Sequence, residues 1–182
     1  KILYKKVSEI RLHGMTKSAI DRFRNKKYQP WNMNRLGIKA NMPDLLASLL
    51  PKQIKEVYKN HELRKKAHNY YDKLLDGTNI IRPKINNKCL SGHHLYAVHL
   101  KPSIRTSVIN YLKKKNIGVT INYTPVTKLN YYKRKYLLKD KHFPVSTLWG
   151  NGTISLPFYP KINKKIQRYV IKNLIEAEKK YV

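Results

Sequence analysis

The sequence predicts an α/β chain with long helices first and a small mixed α/β unit last. Three observations carry this. From residue 42 to 75 apolar side chains recur at helical spacing. From residue 95 to 123 two β-rich runs flank an amphipathic helical stretch, about the length of a strand-helix-strand crossover. Residues 153–156 then read as a strand and 163–180 as a closing helix.

Taken in order, residues 1–10 place Ile2, Leu3, Val7 and Ile10 on one helical face. The chain does not open with methionine, so a preceding segment is expected. Residues 11–34 read as irregular, with Tyr28-Gln29-Pro30-Trp31 as a loop. A glycine-led loop, Gly37-Ile38-Lys39-Ala40-Asn41, then enters a helix near Met42. Pro43 suits the first helical turn and Asp44 complements the dipole.

Leu46, Leu49, Leu50, Ile54, Val57 and Tyr58 keep helical spacing across Pro51. Either the helix continues with a kink or it breaks at Leu50, since an interior proline costs about 3 kcal/mol against alanine. A second helical pattern, from Leu63 through Tyr71 to Leu75, stops at Asp76-Gly77, a common glycine-terminated end. Residues 80–83 read as a short strand and 84–91 as a loop. Residues 95–100 read as a strand, and 103–116 as a helix with Ile104, Val108, Ile109 and Leu112 inward. Residues 119–123 form another β-rich run, 124–142 are poorly patterned, and Phe143-Pro144 opens a short helix.

The balance of 39 basic to 10 acidic residues gives a formal charge of +29, which attracts polyanions at low salt. The lysines are spread through the chain alongside many Asn, Ile and Tyr residues, as an A- and T-rich coding sequence would produce. A single cysteine, Cys89, excludes an internal disulfide framework and fits a reducing compartment. No apolar run approaches membrane-span length, and the cytoplasm is the expected location.

Several chemistries find no support. The carboxylates form no convincing acid/base pair by spacing. Cys89 with His93 and His94 matches no standard zinc spacing, so no metal is expected. Neither common glycine-rich phosphate loop is present. Tyr131, Tyr132, Lys133, Arg134, Lys135 and Tyr136 interleave aromatics with cations. They suit either base stacking with phosphate contacts or an ordinary solvated surface. At the loop before Met42, Lys39 and Arg35 near a helix start suit a phosphate or carboxylate. Spacing alone favours an incidental lysine beside a capped helix.

Six motifs occur in order: Arg11-Leu12-His13-Gly14-Met15, Gly37 to Asp44, His94-Leu95-Tyr96, Ile117 to Tyr123, Phe143-Pro144, and Ile154-Ser155-Leu156-Pro157-Phe158-Tyr159-Pro160. Together they resemble the C-terminal half of the DegT/StrS family of sugar aminotransferases. The resemblance implies a fold-type-I, pyridoxal-phosphate-dependent enzyme, working as a homodimer with active sites shared between subunits. It implies transfer of an amino group from glutamate to a nucleotide-linked 4-keto sugar for surface polysaccharide. Residues 1–60 would end the large domain and carry the dimer-contact loop and the start of a long helix. Residues 61–182 would form the C-terminal small α/β domain.

In that family the Schiff-base lysine, the carboxylate for the pyridine nitrogen and the ring-stacking aromatic lie upstream of the segment matched by Arg11 to Met15. Lys1, Lys5 and Lys6 are not at the lysine's place, so no catalytic residue is expected in this chain, and the missing N-terminal half becomes a partner. By the resemblance Lys39 and Asn41 are the cofactor-binding positions, with Asn41 also near the sugar; which of the two meets the phosphate stays open. Asn122 and Tyr123 stand where the family usually has a histidine and an aromatic near the nucleotide-sugar. Asn122 hydrogen-bonds but cannot carry a proton near neutral pH. Alone, the chain is not expected to be active. The alternatives are a catalytically dead remnant of a split gene and a basic nucleic-acid-binding fragment. Neither a membrane nor a nucleic-acid partner is expected under the aminotransferase reading.

Overall fold

A computed structural model of the chain describes residues 1–16 and 32–182. The loop expected at residues 28–31 lies outside the described residues. The chain divides into two compact units, Lys1–Lys55 and Glu56–Val182.

The first unit opens with helix α1, Ile2–Ile10. Its expected apolar face is present but exposed: Ile2, Leu3, Val7 and Ile10 all meet solvent. Two isolated antiparallel bridges, Leu12 with Lys39 and Met15 with Met33, fold the following chain back on itself. Two glycines permit the close approach. Gly14 has φ +76°, and a Cβ there would strike the Arg35 carbonyl. A Cβ on Gly37 would strike the Gly14 nitrogen.

Helix α2 spans only Asp44–Ala47, and α3 spans Leu50–Leu75. The expectation of one helix kinked at Pro51 is therefore corrected to its alternative, a break before Leu50. Pro51 is the second residue of α3, where its missing N–H leaves no helical bond unmade. From there α3 runs unbroken through the second apolar pattern. It stops at Leu75, whose carbonyl accepts from Thr78 Oγ1 at 2.7 Å, with Gly77 at φ +74°.

In the second unit, strands β1 (Tyr96–His99) and β2 (Thr153–Leu156) pair antiparallel, with Tyr96 opposite Leu156 and His99 opposite Thr153. Single bridges extend the sheet on both outer edges, Ile81 to His99 and Thr120 to Ser155. The strands expected at 80–83 and 119–123 thus contract to single bridges. Pro83 offers no donor to a ladder. The crossover is split: β2 lies between β1 and Thr120 and is antiparallel to both.

Helix α4, Arg105–Lys114, connects them and buries Val108 and Leu112. In the stretch expected to lack pattern, α5 forms at Asn130–Tyr136 between 3₁₀ turns at Val126–Lys128 and Asp140–His142. Thr127 Oγ1 donates to Asp140 Oδ1 at 2.8 Å and ties the two turns together, a long-range bond that residue periodicity does not report. Helix α6, Pro144–Gly152, begins on its proline as expected. Helix α7, Lys164–Tyr181, is capped by Asn163, whose side chain accepts from the Ile166 amide at 2.8 Å.

The core lies between the sheet and helices α3, α4 and α7. Tyr71, Leu75, Val98, Val108, Leu112, Ile154, Val170 and Leu174 are among its members. Two buried polar side chains there are paired: Tyr71 donates to the Pro157 carbonyl at 2.9 Å, and Gln167 Nε2 to the Ala67 carbonyl at 2.8 Å, whereas Ser155 Oγ on β2 has no partner. No described helix is long and apolar enough to cross a membrane.

Candidate functional site

In the first unit, the loop after Gly37 is pinned by its backbone. Ile38 N–H donates to the Ile10 carbonyl at 2.8 Å, Ala40 N–H to the Arg11 carbonyl at 2.9 Å, and His13 N–H to the Ile38 carbonyl at 3.1 Å. The first two motifs of the sequence thereby become one structural element. The side chains of Lys39 and Asn41 are both exposed, two residues apart on the same loop. Arg35 is not available beside them as expected: its Nε donates to the buried Glu9 carboxylate at 2.8 Å. Nor does α2 supply a strong dipole, with four residues and no side-chain cap. Any anion contact at this loop thus falls to the ammonium of Lys39 and the amide of Asn41.

In the second unit, Asn122 and Tyr123 line one concavity of about 370 Å³ together with Ser146, Trp149 and Thr153. Asn122 Oδ1 accepts from Thr120 Oγ1 at 2.7 Å, which leaves its NH₂ free to donate. Tyr123 is well exposed. The Trp149 wall is fixed from behind. The His99 ring meets the Trp149 ring edge-on at 4.9 Å and 61°, and His99 Nε2 lies 3.0 Å from the Leu148 carbonyl. Arg105 donates to the Gly150 carbonyl at 2.7 Å, and Gly150 is bare because a Cβ would strike the Pro125 ring. The site offers an aromatic wall and small hydrogen-bonding groups, a combination suited to a sugar or a base.

The sequence pointed to Asn122 and Tyr123 and not to Ser146 and Trp149, which line the same concavity. The available signal was Trp149 beside Gly150 and Gly152, two glycines that a helix carries only for close packing.

Cys89 is exposed, whereas His93 packs its ring 4.6 Å from His68 and 5.7 Å from His61 on α3. Among the described residues no His, Cys, Asp and Glu cluster is arranged to hold a metal. The histidines adjoin a polar network: His68 Nδ1 lies 3.1 Å from Asp72 Oδ2, and Tyr96 donates to Asp72 Oδ1 at 2.8 Å. Burial alone would raise the Asp72 pKa, but hydrogen bonds from His68 and Tyr96, with the charges of His68 and Arg82, bring it below the ordinary carboxylate value. Burial, then the charges of His68, His61 and Lys65, lower the pKa of His93. Its Nδ1 is buried without a partner.

An antiparallel sheet with a split crossover, packed with helices, is the architecture this chain shares with the C-terminal part of fold-type-I aminotransferases. The chain belongs to the DegT/DnrJ/EryC1/StrS aminotransferase family, which it matches over residues 1–175. It is 28% identical over 164 residues to the spore coat polysaccharide biosynthesis protein SpsC of Bacillus subtilis, covering 87% of this chain and 42% of that one. It is 25% identical over 174 residues to a UDP-4-amino-4,6-dideoxy-N-acetyl-β-L-altrosamine transaminase of Campylobacter jejuni, covering 93% and 44%. A Streptococcus pneumoniae structure described as a sugar aminotransferase in its PMP form superposes with a TM-score of 0.87 at 23% identity, covering all of this chain and 46% of that one. The same protein is also solved in a PLP form. The chain spans less than half the length of these relatives.

Proposed function

We propose that the chain is the C-terminal portion of an aminotransferase that moves an amino group from glutamate to a nucleotide-linked 4-keto sugar. The observation that carries this is the concavity in which Asn122, Tyr123, Ser146 and Trp149 converge, in a chain of sugar-aminotransferase membership. Tyr123 and Trp149 supply flat apolar faces. The free amide of Asn122 and the hydroxyl of Ser146 supply donors for sugar hydroxyls or diphosphate oxygens.

Pyridoxal phosphate fits the other polar loop. The cofactor's phosphate needs donors, and Lys39 and Asn41 present an ammonium and an amide, exposed on a loop whose backbone is hydrogen-bonded to Ile10, Arg11 and His13. When bound, the cofactor supplies the electron sink for amino transfer. In this reading Lys39 and Asn41 assist a cofactor in a neighbouring subunit of a homodimer, with Asn41 also reaching the sugar. Residues 1–60 then complete a large domain and residues 61–182 form the small one. Asn122 binds and orients but exchanges no proton near neutral pH, so the proton carrier is the Schiff-base lysine of an upstream half.

Co-expression with the upstream half tests this. The assembly is expected to show the absorbance of bound pyridoxal phosphate, with glutamate as donor and a nucleotide-linked keto sugar as acceptor. Lys39→Ala should weaken cofactor retention about tenfold, as for loss of one charged hydrogen bond. Asn122→Ala should raise KM for the sugar nucleotide with the pyridoxal absorbance intact. A folded, complete assembly without any pyridoxal signal would sink the proposal.

A further inference from the structure

The segment from Lys128 to Lys141 has no part in the site above, yet it is chemically the most distinctive surface of the second unit. It holds six cations, Lys128, Lys133, Arg134, Lys135, Lys139 and Lys141, and one carboxylate, Asp140. All six cations are exposed, and among the described residues none forms an ion pair. Asp140 is occupied by Thr127. Between the cations stand apolar groups that the fold leaves in water: Leu129, Tyr131, Tyr132, Tyr136 and Leu137, the last 78% exposed. Leu129, Tyr132 and Tyr136 share one face of α5 by helical spacing, and Leu137 projects just beyond its end, where the backbone turns left-handed at φ 50°.

We propose that this surface docks on an anionic lipid bilayer, with the lysines and arginine on headgroup phosphates and the leucine and tyrosine tips at the acyl boundary. Unbalanced positive charge beside exposed tyrosine and leucine is the pattern that binds such an interface. A single-stranded nucleic acid would use the same cations but needs free ring faces on which to stack. Here the ring faces are partly engaged, while Tyr131 and Tyr136 stay more than half exposed. Tyr132 and Tyr136 stack on each other at 16°, and Lys135 Nζ lies 5.4 Å over the Tyr131 ring and 5.5 Å over the Tyr136 ring. Leu129 and Leu137 stand exposed among the rings, and leucine side chains suit a lipid boundary while giving a base nothing to stack on.

Sedimentation of the full chain with vesicles tests the proposal. Vesicles of phosphatidylcholine alone are compared with vesicles containing about one-third phosphatidylglycerol, where each basic residue near the surface contributes several-fold in partition. Binding is expected only to the anionic vesicles. Replacing Lys133→Gln, Arg134→Gln and Lys135→Gln together should lower it at least about tenfold. Tyr132→Ser with Leu137→Ser, which leaves the charge unchanged, should lower it about threefold or more and make the remainder fully salt-sensitive. Removing the same charge elsewhere, by Lys161→Gln, Lys165→Gln and Lys179→Gln, should change it less than about twofold. Circular dichroism confirms that each variant is folded. An equal loss in the distant variant assigns binding to total charge and overturns the proposal. So does binding of a single-stranded oligonucleotide that survives physiological salt and depends on the same three cations while the vesicles go unbound.

Discussion

The two compact units are built on opposite terms. In Glu56–Val182 the apolar residues of α3, α4, α7 and the sheet leave water together, and Leu75, Val98, Val108, Leu112, Ile154 and Leu174 are fully buried. In Lys1–Lys55 no apolar side chain among the described residues is fully buried, and Ile2, Leu3, Leu36, Leu45 and Leu49 are more than half exposed. Burial stabilises at about 25 cal/mol per Å² only for area that leaves water. The second unit has that term. The first is shaped by bridges, an ion pair between buried Glu9 and exposed Arg35, and two glycines at a close approach. Apolar patches of this kind mark surfaces that other protein covers. The loop carrying Lys39 and Asn41 therefore has a defined backbone but little stability of its own.

The largest expected effect follows directly. Leu174→Ala, within the core, should cost about 2–5 kcal/mol in urea denaturation of the chain. Leu45→Ala, at a position 80% exposed, should stay within about 0.5 kcal/mol. Equal costs would erase the distinction between the units.

A smaller effect concerns how the second unit holds the chain ahead of β1. His61 and Arg64 on α3 contact the Ser91 and Gly92 carbonyls at 2.8 and 3.2 Å, and His93 packs against His68. Besides these histidines, the groups facing the His93 ring include Lys65 and Asp72 of α3. The His93 pKa is lowered in the fold, so below its ordinary value of 6.5 the unfolded chain takes up the proton first. The contribution is complete above that value and is lost as pH falls toward the lowered one. Asp72 acts in the opposite range: its lowered pKa contributes stability above the ordinary 3.8, lost only in stronger acid. Between pH 7.5 and 5.5 the urea midpoint should therefore fall, and His93→Gln should flatten that slope. An unchanged slope in the variant would remove His93 from the account.

The same contrast governs what the sequence disclosed. Periodicity located α4, α7, β1 and β2 within a residue or two, because their apolar side chains are buried and so patterned by the core. Where packing is absent or non-local, pattern failed. Residues 124–142 order around the Thr127–Asp140 bond, which no spacing announces. At the site, motif order pointed to Asn122 and Tyr123. Trp149 escaped because its position depends on Gly150 and Gly152 admitting Pro125 and His99, contacts made across the fold. Arg35 looked free for the same reason: its partner Glu9 is twenty-six residues away.

The smallest effect is also the sharpest, because its sign separates two geometries. Apolar spacing alone allowed one helix passing through Pro51, and in that arrangement Pro51→Ala would restore a helical hydrogen bond and stabilise by about 3 kcal/mol. With α3 starting at Leu50, the proline nitrogen stands in the first turn, where an N–H has no helical acceptor. Alanine there gains no bond, and it frees the unfolded chain that proline had restricted. Pro51→Ala should then destabilise by about 0.4–1 kcal/mol. Stabilisation instead would mean that the break between Ala47 and Leu50 closes into one helix, and the loop bearing Lys39 and Asn41 would be aimed by a continuous rod and not by a short turn.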